Sequence, residues 1–201
     1  MILIGYSGHA FVVYGILLAA GKKVIGYCDV NEKEYDPFGL SYYGTETSEN
    51  ALIALKENDF FIAIGDNNTR KKIYDQLAQK SLNPVNAIHP SSVIDVSAKI
   101  ATQGVMIAAG VIINPLATIG TGAICNTGCI IEHECVVGDF AHVGPGAVLC
   151  GNVKIGEGTF VGANAVIKQG ISIGKNAMIG AGAIVVKNVP DNITVVGVPA
   201  K

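Results

Sequence analysis

Residues 107–185 read IAAGVI-INPLAT-IGTGAI-CNTGCI-IEHECV-VGDFAH-VGPGAV-LCGNVK-IGEGTF-VGANAV-IKQGIS-IGKNAM-IGAGAI-V, a six-residue phase that does not slip. Each block opens on Ile, Val, Leu or, once, Cys125. Glycine follows at Gly120, Gly138, Gly144, Gly156, Gly162, Gly174 and Gly180, and the fifth place is mostly small, as at Ala117, Ala123, Cys129, Cys135 and Ala141. A period of six does not fit the 3.6-residue turn of an α-helix, and glycine is too dense for one. A β-sandwich of short strands does not explain an unbroken phase. The pattern predicts a three-sided column. Each hexad supplies one short strand and one corner, three hexads close a coil, and stacked coils bury a line of aliphatic side chains. The spacing from Ile100 to Ile107 is one residue too long, so an irregular first coil is expected before the regular prism.

Upstream, apolar strands alternate with helical stretches. Ile2–Gly5 and Val24–Cys28 read as strands around a helix that Gly21 stops, with a polar loop over 31–44. Thr47 or Ser48 caps a helix reaching about Asn58, Phe60–Ile64 is a third strand, Thr69 opens a helix to about Lys80, and Asn83–Ile88 reads as a fourth strand. This predicts a small Rossmann-like parallel sheet over 1–88, followed by the column over 89–201. Ligands of such sheets sit beyond the carboxyl ends of the strands. Three stretches fall there: Ser7-Gly8-His9, Asp29, and Gly65 with Asn67. The turn Gly5-x-x-Gly8 can offer backbone N–H groups to a phosphate at a helix start, although it lacks the third glycine of the dinucleotide fingerprint.

The bulk numbers narrow the function. Of 201 residues half are hydrophobic, the net charge is −2, and there is no basic run, which disfavours a nucleic-acid partner. No apolar stretch is long enough for a membrane span. The opening residues lack the positive region of a signal peptide, so a cytoplasmic protein is expected. The five cysteines, with Cys125, Cys129 and Cys135 on inward places, read as small core residues of a reducing compartment.

One part of the repeat carries chemistry. Glu132-His133-Glu134 is followed by Asp139 and His142, in a repeat that otherwise lacks histidine. A histidine is the usual general base near neutral pH, and a carboxylate on its other nitrogen fixes the tautomer. Adjacent residues of a strand point to opposite faces, so His133 and Glu134 can meet only at a corner or across two chains. No spacing matches a known zinc pattern, and no metal is expected.

The IEHECVVGDFAHV segment, the GYSGHA opening, the FFIAIGDNNTRKKIY stretch, the IHPSS junction and the GVPAK ending together resemble the nucleotide-aminosugar N-acetyltransferases of the bacillosamine pathway. That family is related to the perosamine N-acetyltransferases and the sialic acid O-acetyltransferases, within the hexapeptide-repeat acyltransferases. The resemblance implies a left-handed parallel β-helix and a homotrimer with active sites between subunits. It implies acetyl-CoA as co-substrate and a UDP-4-amino-4,6-dideoxy sugar as acceptor. By the same resemblance His133 is the catalytic base and Glu134 the acid that enhances it. His142, Gly151, Ala163 and Ala181 contact acetyl-CoA, while Ser7, Gly8, His9, Asp29 and Gly65 hold the nucleotide sugar. Asp29-Val30 departs from relatives with two acids after the second strand. A GDP-linked 4-aminosugar such as perosamine, or O-acetylation of sialic acid or another glycan precursor, remains the alternative. A non-catalytic sugar-nucleotide scaffold is a third reading.

Overall fold

The structure, a computed structural model, describes residues 1–201. The N-terminal unit is a parallel sheet of four strands in the order β3-β2-β1-β4: β1 Ile2–Ile4, β2 Gly26–Cys28, β3 Ser41–Tyr42 and β4 Phe60–Ile62. Its helices are α1 Gly8–Ala19, α2 Glu49–Glu57 and α3 Asn67–Ala78. The Ser48 hydroxyl accepts from the Ala51 N–H and the Asp66 carboxylate from the Thr69 N–H, so α3 begins two residues before Thr69.

The fourth strand differs from expectation. Ser41–Tyr42, within the polar loop, pairs with Gly26–Tyr27, because Gly26 leaves room for Tyr43 and the Ser41 carbonyl where a Cβ would clash. Residues 83–88 do not form a sheet strand of this unit. Val85 donates one bond to Phe60, and Ala87–Ile88 pairs instead with Met106–Ile107.

From Ala87 the chain winds as a left-handed parallel β-helix with three flat faces. The first face has seven strands, among them Ile124–Cys125, His142–Val143, Phe160–Val161 and Met178–Ile179. The second has six, including Ile112–Ile113, Ile130–Ile131, Val148–Leu149 and Val166–Ile167, and the third has five, including Thr118–Ile119, Val136–Val137 and Lys154–Ile155. Partners in adjacent coils lie eighteen numbers apart, as Ile131 with Leu149. The inward residues from Ile107 to Val185 are at most 3% exposed.

The glycine after each aliphatic residue is explained by stacking: a Cβ on Gly156 would stand 2.5 Å from the Gly174 carbonyl carbon. Corner turns use a left-handed residue two places later, at Gly122, Gly128, Glu134, Phe140, Asn152 and Gly158.

Candidate active site

His133 and Glu134 occupy the corner between the second and third faces. Glu134 is the left-handed residue of that turn, with φ 60°. The alternation of a strand does not hold there, and both side chains leave the same edge. His133 Nδ1 lies 3.1 Å from Glu134 Oε2, and both side chains are about half exposed. The pair therefore forms within one chain and needs no neighbour. In the neutral ring Nδ1–H donates to the carboxylate, which leaves the Nε2 lone pair free.

One coil on, Gly151 is buried beneath that ring. A Cβ there would stand 2.5 Å from His133 Cε1 and Nε2. The Gly151 N–H has no partner within the chain. An open ring nitrogen and a residue with an unbonded backbone donor thus stand on one edge.

His142 is built differently. It points outward from the first face but is only 7% exposed, because the N-terminal unit covers it. Asn126 Oδ1 accepts the Thr127 N–H, so Asn126 Nδ2 faces His142 Nε2 at 3.1 Å and donates to it. Nδ1–H then donates to the Gly65 carbonyl at 3.4 Å. Burial, with the Arg70 guanidinium and His9 nearby, pushes its pKa down to about 4. His142 is a neutral, oriented hydrogen-bonding group with no acid partner.

Ala163 and Ala181 lie at the edge between the first and second faces, stacked in successive coils, and their N–H groups are also unbonded. Within one chain they share no edge with His133, and His142 stands on a face that the His133 corner does not border.

Beyond the carboxyl ends of β1 and β2 lies a cavity of about 420 Å³, lined among others by Ser7, Asp29, Glu46, Thr69, Lys72 and Gln76. Ser7 is the N-cap residue of α1, but its hydroxyl makes no cap bond. Asp29 takes the Tyr6 N–H at 2.9 Å, the Val30 N–H at 2.7 Å and the Lys33 ammonium at 3.0 Å. It orders the glycine turn as well as facing the cavity. Gly8 opens α1 with free space around it.

Gly65 belongs to a second cavity, about 430 Å³, with Asp66, Asn67, His142, Phe160 and Met178. His9 sits behind it. Its ring packs on Gly65, its Nε2 is buried without a partner, and burial with the Arg70 charge pushes its pKa down to about 4. The five residues expected to hold a nucleotide sugar are thus split: Ser7 and Asp29 line one cavity, Gly65 lines the other with His9 behind, and Gly8 lines neither. No group of three or more metal-capable side chains occurs. Asn67, expected beside Gly65, does line the second cavity; Arg70 and Asn126 were not legible in the sequence. Nothing in their spacing marks them, since each gains its role from a segment distant in the chain.

Residues 1–77 match the family model described as PglD N-terminal domain. Residues 134–169 match Bacterial transferase hexapeptide (six repeats), and 152–187 match Hexapeptide repeat of succinyl-transferase. Among solved structures, a mutant of perosamine N-acetyltransferase from Caulobacter crescentus in complex with CoA and GDP-perosamine is 38% identical. The match covers 100% of this chain and 94% of that one, with TM-score 0.92. The chain belongs to the hexapeptide-repeat sugar acetyltransferases. The acetyltransferase domain of PglB from Neisseria gonorrhoeae in complex with acetyl coenzyme A is 30% identical, over 100% and 97% of the two chains, with TM-score 0.89. WeeI from Acinetobacter baumannii is 25% identical over the same shares, with TM-score 0.85. As a member of this acyltransferase family the protein is an enzyme, and the two edges and two cavities are where its acyl-transfer chemistry has to be sought.

Proposed function

We propose that the protein transfers the acetyl group of acetyl-CoA to the 4-amino group of a nucleotide-linked 4-amino-4,6-dideoxy sugar, with His133 as general base. The observation that carries this reading is the corner pair: an imidazole oriented by Glu134, with its free Nε2 packed over Gly151, whose N–H is unbonded. The bound CoA and GDP-perosamine of one relative and the acetyl coenzyme A of another support the two substrates.

In this mechanism His133 Nε2 accepts a proton as the amine attacks the thioester carbonyl. The C–N bond forms, the C–S bond breaks, and the imidazolium returns the proton to the departing thiolate. The Gly151 N–H is placed to stabilise the oxygen that gains charge. Glu134 holds the tautomer and stabilises the charged ring. His142, neutral and fixed, offers a polar contact to acetyl-CoA, with Ala163 and Ala181 as backbone contacts.

The expected residues lie on separate edges, which supports a site completed by a second subunit. The second face supports the same reading: its outward residues Val93, Ile112, Ile130, Val148, Val166 and Ile184 are all aliphatic, a stripe suited to burial in a homotrimer. For the carrier, UDP of the bacillosamine type is the first reading, resting on the GYSGHA opening and the EHE segment. A GDP-linked sugar is the second, favoured by the 38% identity to perosamine N-acetyltransferase. The test is CoA release against a panel of UDP- and GDP-linked 4-aminosugars. A product acetyl group released by mild hydroxylamine would be an ester and would overturn N-acetylation; no release with any amine would overturn the reading.

A further inference from the structure

Coil stacking leaves a set of carbonyls without backbone partners. At the corner between the third and first faces, the left-handed residues Gly122, Phe140 and Gly158 repeat in three successive coils. None of their carbonyl oxygens accepts a backbone N–H. A buried carbonyl left unpaired is costly. The first turn of α3 fills all three. Arg70 Nε donates to Gly122 O at 2.9 Å and Nη2 to Phe140 O at 2.8 Å, while Asn67 Nδ2 donates to Gly158 O at 2.8 Å.

The remaining guanidinium N–H groups turn back to the N-terminal unit. Nη2 reaches Asn67 Oδ1 at 2.9 Å, and Nη1 reaches the Ile64 and Gly65 carbonyls, each at 3.0 Å. Five donors meet five neutral oxygens, no carboxylate pairs with the group, and Arg70 is 1% exposed. A charge held this deep with no paired carboxylate is costly to desolvate, and only a geometry that satisfies every N–H offsets that cost.

The arrangement has a consequence for the site. α3 lines both cavities, through Thr69, Lys72 and Gln76 on one side and Asp66 and Asn67 on the other. The Gly65 carbonyl that Arg70 holds is the one facing His142 Nδ1. We infer that Arg70 is a positioning residue that keeps the nucleotide-sugar pocket of the N-terminal unit in fixed register with His142 on the column. The inference rests on the acetyl-transfer reading above. It requires the planar fork and not merely the charge, because a lysine offers three donors from one point and cannot bridge the same oxygens.

The test uses the full-length protein and Arg70→Lys. Steady-state CoA release is measured with each substrate varied, beside ¹⁵N NMR of the His142 ring. With reacting groups displaced by about 1 Å, kcat/KM for the nucleotide-linked amine is expected to fall at least about tenfold, and by clearly more than kcat/KM for acetyl-CoA, which loses the fixed His142 contact but keeps its backbone contacts on the column. The His142 ring loses its fixed Nδ1-protonated form. Unchanged kcat/KM for the amine, or equal losses for both substrates that track melting temperature, overturns the inference. If the wild type releases no CoA with any amine, the acetyl-transfer reading fails; the ring signal then decides alone, and an unchanged tautomer in Arg70→Lys overturns the positioning role. If Arg70→Lys does not fold, Asn67→Ala, which retains the guanidinium, is expected to show the same substrate split more weakly, and no split overturns the inference.

Discussion

Gly151→Ala separates activity from stability. The new methyl would stand 2.5 Å from two atoms of the His133 ring, about 1 Å inside the roughly 3.5 Å at which carbon atoms rest. The backbone at Gly151 is not in the left-handed region, so alanine carries no conformational penalty there, and loss of unfolded-chain freedom favours it by about 0.5 kcal/mol. The half-exposed ring yields instead of the coil, swinging outward by about 1 Å and carrying Nε2 away from Gly151. A misplacement of that size costs roughly a hundredfold in rate. The assay is CoA release under saturating substrates, with melting temperature beside it. The expected result is kcat down by about two orders of magnitude and a melting temperature equal to or slightly above that of the parent. A variant that turns over within about threefold of wild type would show that the ring position is not what sets the rate.

Other changes divide along the same lines. His133→Ala is expected to lower kcat by about 10² to 10⁴ with little change in melting temperature, Glu134→Gln by about tenfold, and the double variant no further than His133→Ala, since Glu134 acts through the ring. Parallel kinetics on the three proteins check this. Gly156→Ala drives a methyl to 2.5 Å from the backbone of the next coil, which cannot swing aside, and is expected to cost about 3 kcal/mol in denaturant unfolding. If the proposed trimer packs through the second face, glutamate at both Val148 and Val166 yields a monomer by light scattering, while the circular dichroism of the column persists. Acid sensitivity follows from His9 and His142, whose pKa values fall from 6.5 to about 4 on folding. The unfolded chain binds their protons first, so their contribution is complete above pH 6.5 and is lost as pH drops toward 4, on the order of 3 kcal/mol for each. Asp36, Asp66 and Asp95, held below 3.8 by hydrogen bonds, lose theirs only below that value. His142→Asn is expected to flatten the fall in melting temperature between pH 6.5 and 4.

The column was legible because its rule is local. An aliphatic residue every sixth place and a glycine behind it describe the inside of a coil and the contact with the next, and both repeat without reference to anything distant. The N-terminal sheet was legible only where strands are long. Ser41–Tyr42 carries no alternation to mark it; what admits it as a strand is the missing side chain of Gly26, fifteen residues earlier. Ala87–Ile88 is as apolar as a sheet strand, and its partner, Met106–Ile107, is chosen by the phase of the column.

The two histidines show where residue type stops being enough. His133 and His142 stand nine positions apart in one repeat and look alike in sequence, yet their surroundings give them opposite capacities. At His133 a left-handed corner residue brings a carboxylate to Nδ1 and leaves Nε2 open. At His142 an amide whose own oxygen is already engaged occupies Nε2, and a covering domain removes the solvent that would favour protonation. The proposed roles of base and binding group therefore rest on what each ring nitrogen already touches. Because the repeat turns one corner and one face between them, neither can assist the other within a chain. A neighbouring column is then the simplest way for the two to serve one reaction, and the aliphatic second face supplies a surface on which such a neighbour can pack.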